Sequence, residues 1–457
     1  MIQNALELFL KQKRFDLIYK YLYLKNQDND FITKAYLENI RAFNNFHEIE
    51  PSDGIAKDSA TDFLNSFNHL YNSIKENGFD NTKKIPIGEN GEISDGAHRL
   101  TCAAVLNLNI TTYQDYRNDL YDYKFFINKK MNQDIMDFGA LEYVKLNPNA
   151  YIVNLHSITD CSKDKNVENI LERYGFIYYK KDIKLTFNGY VNLKKLSYGS
   201  FWNRENWIGN TENKFAGAQM HARNSIGDNP LRAYVFICED INNVVKAKAE
   251  IRELFSIGNF SVHINDTREE AVWLAETYFN KNSLDMINSR PFAYEDLDFE
   301  NKITELKNIA KAKCIDLNNI CVSGSTPFDI YGIRRSSDLD FLYDGDKSFN
   351  IQTENISNHD SELSYYPLPK KEIIGNPINH FYYHGIKFIT LEILYKMKKK
   401  RNEKPKDVND CKRIKNFWLK QKLQKLNFRI VKRQKIGNIR KITLFGFIKI
   451  TYKKRGK

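Results

Sequence analysis

The chain has 457 residues, 42% of them hydrophobic and 13% aromatic, enough for two to four domains with cores of their own. It has no run of about 18 apolar residues, which excludes a spanning helix by sequence. Its six cysteines (Cys102, Cys161, Cys238, Cys314, Cys321, Cys411) show neither metal-ligand spacing nor a disulfide framework, as expected of a reducing cytosol.

The net charge of +12 joins two unlike parts. Residues 396–457 hold 24 Lys and Arg against 3 Asp and Glu, and the remainder holds 45 against 54. A mildly acidic body therefore carries a strongly basic tail, which calls for an anionic partner.

Residues 1–75 read as mostly helical. Met1 to Lys20 has an amphipathic pattern with acidic residues inside it, unlike a signal peptide. Phe9, Phe15, Leu17, Ile18 and Leu22 give one apolar face, and Phe63, Phe67, Leu70 and Ile74 another. Lys84–Ile87 predicts a short strand, Glu89–Gly91 a turn, and Glu92-Ile93 the start of a second strand. Asp95-Gly96-Ala97-His98-Arg99 then opens a helix running to Leu106. Free amides at its start and Arg99 in its first turn would cradle a phosphate. The plainer reading is that Asp95 caps the helix and His98 and Arg99 are surface residues.

This Asp-Gly-x-His-Arg box after a short strand resembles the ParB/sulfiredoxin-like superfamily, over about residues 60–125. The resemblance implies that Gly96, Ala97, His98 and Arg99 touch the phosphates of ATP or CTP, with Asp95 near the reacting group. The sulfiredoxin branch has Cys where Ala97 stands, so sulfur chemistry is not implied. No helix-turn-helix pattern or local basic patch accompanies the box, which makes nucleic acid the weaker partner.

Residues 130–260 are less legible. Tyr178–Lys181 and Ile183–Gly189 suggest strands with an Asn188-Gly189 turn. Trp202, Trp207, Phe215 and His221 suit a carbohydrate platform or, preferably, a loop-rich core. Leu231–Cys238 reads as a buried strand and Val244–Phe255 as a helix. Ser261–Glu270 reads as a strand end running into a helix capped by Asp266 or Thr267, with a His263–Asp266 pair as the catalytic alternative.

The most informative stretch is Cys321–Tyr343. A short apolar run ends in Gly324-Ser325, Pro327 opens a short helical segment, and Asp338-Leu339-Asp340 begins another apolar run. On a strand, Asp338 and Asp340 point the same way. Two such carboxylates repel, and a divalent cation removes that cost. Gly-Ser, twelve residues, then Asp-x-Asp resembles the nucleotidyltransferase superfamily, over about residues 300–415. The resemblance implies two Mg ions, an NTP, and Gly324 and Ser325 against the triphosphate. It also implies a third carboxylate, for which Glu362, on a predicted strand over residues 361–366, leads Asp360 and Glu392. Lys387, on a strand entering a helix, is expected to reach the triphosphate, or else to belong with Lys398–Arg401 to a solvated basic helix. Lys406–Asp410 reads as a turn similar to one in nucleotidyltransferases that modify small molecules.

The tail ends in an apolar patch, Leu444–Ile450, followed by Lys453-Lys454-Arg455. It suits an anionic membrane surface and resembles Leu-Phe-Gly tails of glycan-assembly enzymes, with RNA or DNA as the rival partner.

The expectation is an α/β and α+β multidomain enzyme. A helical lead-in and ParB/sulfiredoxin-like domain spans 1–128, an α+β middle region 129–290, a nucleotidyltransferase-like domain 291–415, and the basic tail 416–457. The expected reaction is Mg-dependent nucleotidyl or phosphoryl transfer to a sugar, sugar phosphate or glycan. The expected setting is bacterial surface-polysaccharide biosynthesis in the cytoplasm, at the inner membrane face. The alternatives are a kinase acting through the Asp95–Arg99 box and a nucleotide-sensing nucleic-acid-binding protein.

Overall fold

The apolar pattern of the first twenty residues does not form one helix. Ile2–Asn4 is a strand, β1, and the Asn4 side chain accepts hydrogen bonds from the Leu6 and Glu7 amides to start a helix over Ala5–Leu10. That helix stops at Lys11, and a second runs over Leu17–Lys25. Between them, the Lys13 amide is tied to Glu92, and Arg14, Asp16 and Lys20 form a buried ion cluster. These long-range bonds override the helical pattern. The computed structural model describes residues 1–49, 56–199, 201–345, 348–402, 405–436, 439–444 and 448–453, with side chains outside 424–449 and 452–453.

The fold is mixed α/β with several small sheets. Strands β2 (Glu48–Ile49) and β3 (Ala56–Lys57) pair with each other. Strands β4 (Ile85–Ile87) and β5 (Asn109–Gln114) join β1 in the order β1-β5-β4. The expected second strand at Glu92-Ile93 is reduced to one bridge between Ile87 and Ile93.

The middle sheet is antiparallel throughout, with the order β7-β8-β6-β9. Its strands are β6 (Ala150–Leu155), β7 (Phe176–Ile183), β8 (Leu231–Ile237) and β9 (Val262–Ile264). Asn188-Gly189 is not a turn but lies in a helix, Phe187–Ser197. Thr186 caps that helix, and Asn188 spends its amide on the carbonyls of Asn288 and Arg290. Phe215 and His221 are core residues, while Trp202 and Trp207 stay partly exposed.

A third sheet has the order β12-β11-β10-β14-β13. Its strands are β10 (Ile320–Ser323), β11 (Leu339–Tyr343), β12 (Ile356–Asn358), β13 (His380–Tyr383) and β14 (Ile386–Ile389). Residues 361–366 do not extend it: Asp360–Tyr365 is a 3-10 helix. The predicted turn at Lys406–Asp410 lies inside a helix, Pro405–Ile430, because Asp407 and Asp410 are buried against Lys398, Arg401 and Arg334.

Two apolar cores result. One runs from Ala5 to Ile287, across residue 128 without a gap, and the other from Met286 to Ile414. Strand β13 serves both: Phe381 packs into the second core and Tyr382 into the first.

The tail continues as β15 (Val431–Ile436), β16 (Ile439–Leu444) and β17 (Ile448–Lys453), an antiparallel meander. Of the Leu444–Ile450 patch, Phe445, Gly446 and Phe447 lie outside the described residues. Among the described residues, no helix is long and apolar enough to cross a membrane.

Candidate active site

Antiparallel pairing of β10 with β11 sets Ser323 opposite Asp340. The chain leaves β10 at Gly324, whose φ is +59°. A Cβ there would lie 2.0 Å from Asp340 Oδ2, so the position requires glycine both for its conformation and for the carboxylate packed on it. Ser325 and Thr326 are buried, and the Thr326 hydroxyl donates to the Asp338 carbonyl at 3.3 Å. Residues Pro327–Ile330 make a single helical turn, too short to aim an aligned set of amide dipoles at a phosphate.

Asp338 immediately precedes β11 and accepts from Ser337 Oγ at 2.9 Å. Asp340 lies deeper, and its Oδ1 accepts from Ser357 Oγ at 3.0 Å. Its Oδ2 is 3.9 Å from His359 Nε2. His359 Nδ1 and the Tyr366 hydroxyl share a 2.8 Å hydrogen bond. Burial pushes the Asp340 carboxyl above its ordinary value; His359 opposes this and Asp338 adds to it. Burial likewise lowers the His359 imidazole, against the pull of Asp340.

The third carboxylate is not beside these two. The register of β12 puts Ser357 opposite Asp340, and His359 follows two residues on. Glu362 sits on the 3-10 helix and accepts from Arg401 at 3.2 Å. Asp360 pairs with Lys370 and Glu392 with Lys396. Among the described residues, no group of three or more His, Cys, Asp or Glu is placed to hold a metal ion. Two neighbouring carboxylates, one half-desolvated, fit a single divalent cation that shares its ligation with substrate phosphates. They do not fit a metal centre of three carboxylates holding two ions.

Lys387 is not brought to Gly324. It lies opposite Cys321, toward the start of β10, and its Nζ donates to the Asn318 carbonyl at 2.7 Å and the Ile374 carbonyl at 2.9 Å. Lys398, expected on a solvated face, is buried between Asp407 and Asp410.

No family model, curated protein or solved structure matches the chain.

In the N-terminal box, Gly96 (φ +78°) precedes a helix over Ala97–Val105. A Cβ at Gly96 would lie 2.7 Å from Ile85 Cδ1, which explains the glycine by packing. Asp95 Oδ1 takes the Gly96 amide at 2.6 Å. Arg99 is held by the Lys83 carbonyl at 2.8 Å, with Asp95 at 3.9 Å. His98 turns inward: its Nε2 is 3.1 Å from the Tyr36 hydroxyl and its ring meets Phe67 edge-on. Burial, then the charges of Lys20 and Lys57, hold its pKa well below the usual histidine value.

His263 pairs with Glu270 Oε1 at 2.5 Å rather than with Asp266. Thr267 is the helix cap, and the Asp266 side chain binds Lys248. The same neighbourhood holds a cluster the sequence reading missed. Lys194 is buried with its Nζ 2.7 Å from His156 Nε2, and His156 Nδ1 and His221 Nε2 have no hydrogen-bond partner among the described residues. Burial pushes the Lys194 ammonium down to about 7. The available signal was Lys194-Lys195 set between the apolar Val191, Leu193 and Leu196.

Proposed function

We propose that the site at Gly324, Asp338 and Asp340 binds a nucleotide and carries out nucleotidyl or phosphoryl transfer to a sugar, sugar phosphate or glycan. The observation that carries this reading is the direct packing of Asp340 on a glycine in the left-handed conformation, with Asp338 two residues before it. It supports the part of the Gly-Ser…Asp-x-Asp resemblance that concerns the glycine and the two aspartates, and not the third carboxylate. Asp338 and Asp340 would hold magnesium, which when bound neutralises phosphate charge. Gly324 leaves room for the Asp340 carboxylate to pack against the backbone at the end of β10. Ser357 fixes the orientation of the Asp340 carboxylate by its hydrogen bond to Oδ1.

Phosphorus NMR of the full chain with magnesium, each NTP and a panel of sugars and sugar phosphates tests the proposal. The expected products are pyrophosphate and a new phosphodiester or sugar-nucleotide signal for nucleotidyl transfer, or a nucleoside diphosphate and a new phosphate monoester for phosphoryl transfer, absent in the Asp338→Asn/Asp340→Asn variant. Turnover that survives both substitutions removes the assignment. The proposal also places the basic tail against anionic lipid, which would keep the enzyme near lipid-linked acceptors. Sedimentation with phosphatidylserine vesicles should be strong at low salt and weak above a few hundred millimolar. Binding to neutral vesicles alone would contradict it.

A further inference from the structure

A cleft of about 620 Å³ opens between the two cores, within the range of small-molecule sites. One wall comes from the turn after the helix Leu17–Lys25, with Asn26, Gln27 and Asn29; the other carries Asn318, Asn319 and Tyr382. At its floor is Lys387, buried to 9% exposure. Two backbone carbonyls take two of its three ammonium protons. No carboxylate among the described residues forms an ion pair with it. His380 lines the same cleft and has an Nε2 without a hydrogen-bond partner among the described residues.

We propose that this cleft binds a monosaccharide-sized polyhydroxylated molecule carrying one anionic group, such as a sugar phosphate or sugar acid. The anion sits on the remaining Lys387 proton, and the amide side chains of both walls hold the hydroxyls. A polyanion does not fit. The lining balances Asp28, Glu142, Asp316 and Asp344 against only Lys25, Lys371 and Lys387. A neutral sugar would meet the third Lys387 proton with a hydroxyl rather than with the charged acceptor that makes the stronger hydrogen bond. The cleft is separate from the Asp340 site: four residues of β10, roughly 13 Å of strand, lie between Asn319 and Gly324. The inference therefore stands whether or not Asp338 and Asp340 carry out transfer chemistry.

Titration calorimetry of the full chain with glucose 6-phosphate, glucuronate, glucose and inorganic phosphate tests it. Glucose 6-phosphate or glucuronate should bind at least about tenfold more tightly than glucose or phosphate. Lys387→Met, which keeps the buried stem, should abolish that preference. Gln27→Trp, an exposed rim change that fills the cleft without touching either core, should weaken binding by a similar factor. The Asp338→Asn/Asp340→Asn variant should bind as the natural chain does. Equal binding of glucose, equal binding of bare phosphate, loss of binding in the double variant, or no binding of any of the four would each overturn the proposal.

Discussion

Lys194 shows what a single buried charge does to this molecule. Its ammonium has an imidazole as neighbour and, among the described residues, no carboxylate in ion-pair reach, and burial is what lowers it to about 7. An unfolded lysine titrates near 10.4, so folding below pH 7 carries the full cost of desolvating the cation. As pH rises from 7 toward 10, the unfolded chain holds a proton the folded chain has lost, and stability recovers. Replacing Lys194 by Met removes the charge and leaves His156 Nε2 without its partner, a loss of about 1–3 kcal/mol. The difference of three pKa units or more is worth roughly 4 kcal/mol. Lys194→Met is therefore expected to stabilise the protein at pH 6 and to destabilise it slightly at pH 10. Urea unfolding at both values checks this, and a variant less stable at pH 6 would contradict it.

Between elements, legibility followed locality. The strand–Gly-Ser–strand unit could be read because its signals, an apolar run, a breaker and alternating aspartates, lie within twenty-three residues. The partner strand could not. Ile356-Ser357-Asn358 is too short to show a period, and the stretch Ser361–Tyr366, read as a strand, lies mostly in the 3-10 helix Asp360–Tyr365. Arg401, from a distant helix, takes Glu362 there and leaves Ser357 and His359 beside Asp340. Lys406–Asp410 misled for the same reason: polar residues predict a turn, but Asp407 and Asp410 find Lys398, Arg401 and Arg334 in the interior. Burial raises both carboxyls, yet Arg401 and Lys398 at Asp407, and Arg334 and Lys398 at Asp410, outweigh it and lower them on balance. Their stabilisation is complete above the ordinary carboxylate value and is lost as pH falls below it through the folded-state values. Asp407→Asn leaves two cations short of an anion in the interior and should cost about 3–5 kcal/mol at pH 7. A calorimetric scan measures it, and a shift below about 1 kcal/mol would show that solvent, not Asp407, balances those cations.

For the whole molecule, the sequence suggested a string of units, and the structure packs its body into two cores. Composition cannot show this, because the contacts that fuse 1–128 with 129–290 are long-range: the Tyr143 hydroxyl on the Leu10 carbonyl, and Phe15 stacked on Tyr179. Strand β13 carries the same logic further, with one side chain in each core. Asn280 and Ser283 of the first half also hold its backbone at His380 and Tyr382. A strand shared this way acts as a rivet. Neither half can lose its tertiary order while the other keeps a complete sheet and a filled interior. Heat should therefore meet one cooperative transition, and the Asp407→Asn scan should move that transition whole rather than split off a C-terminal step.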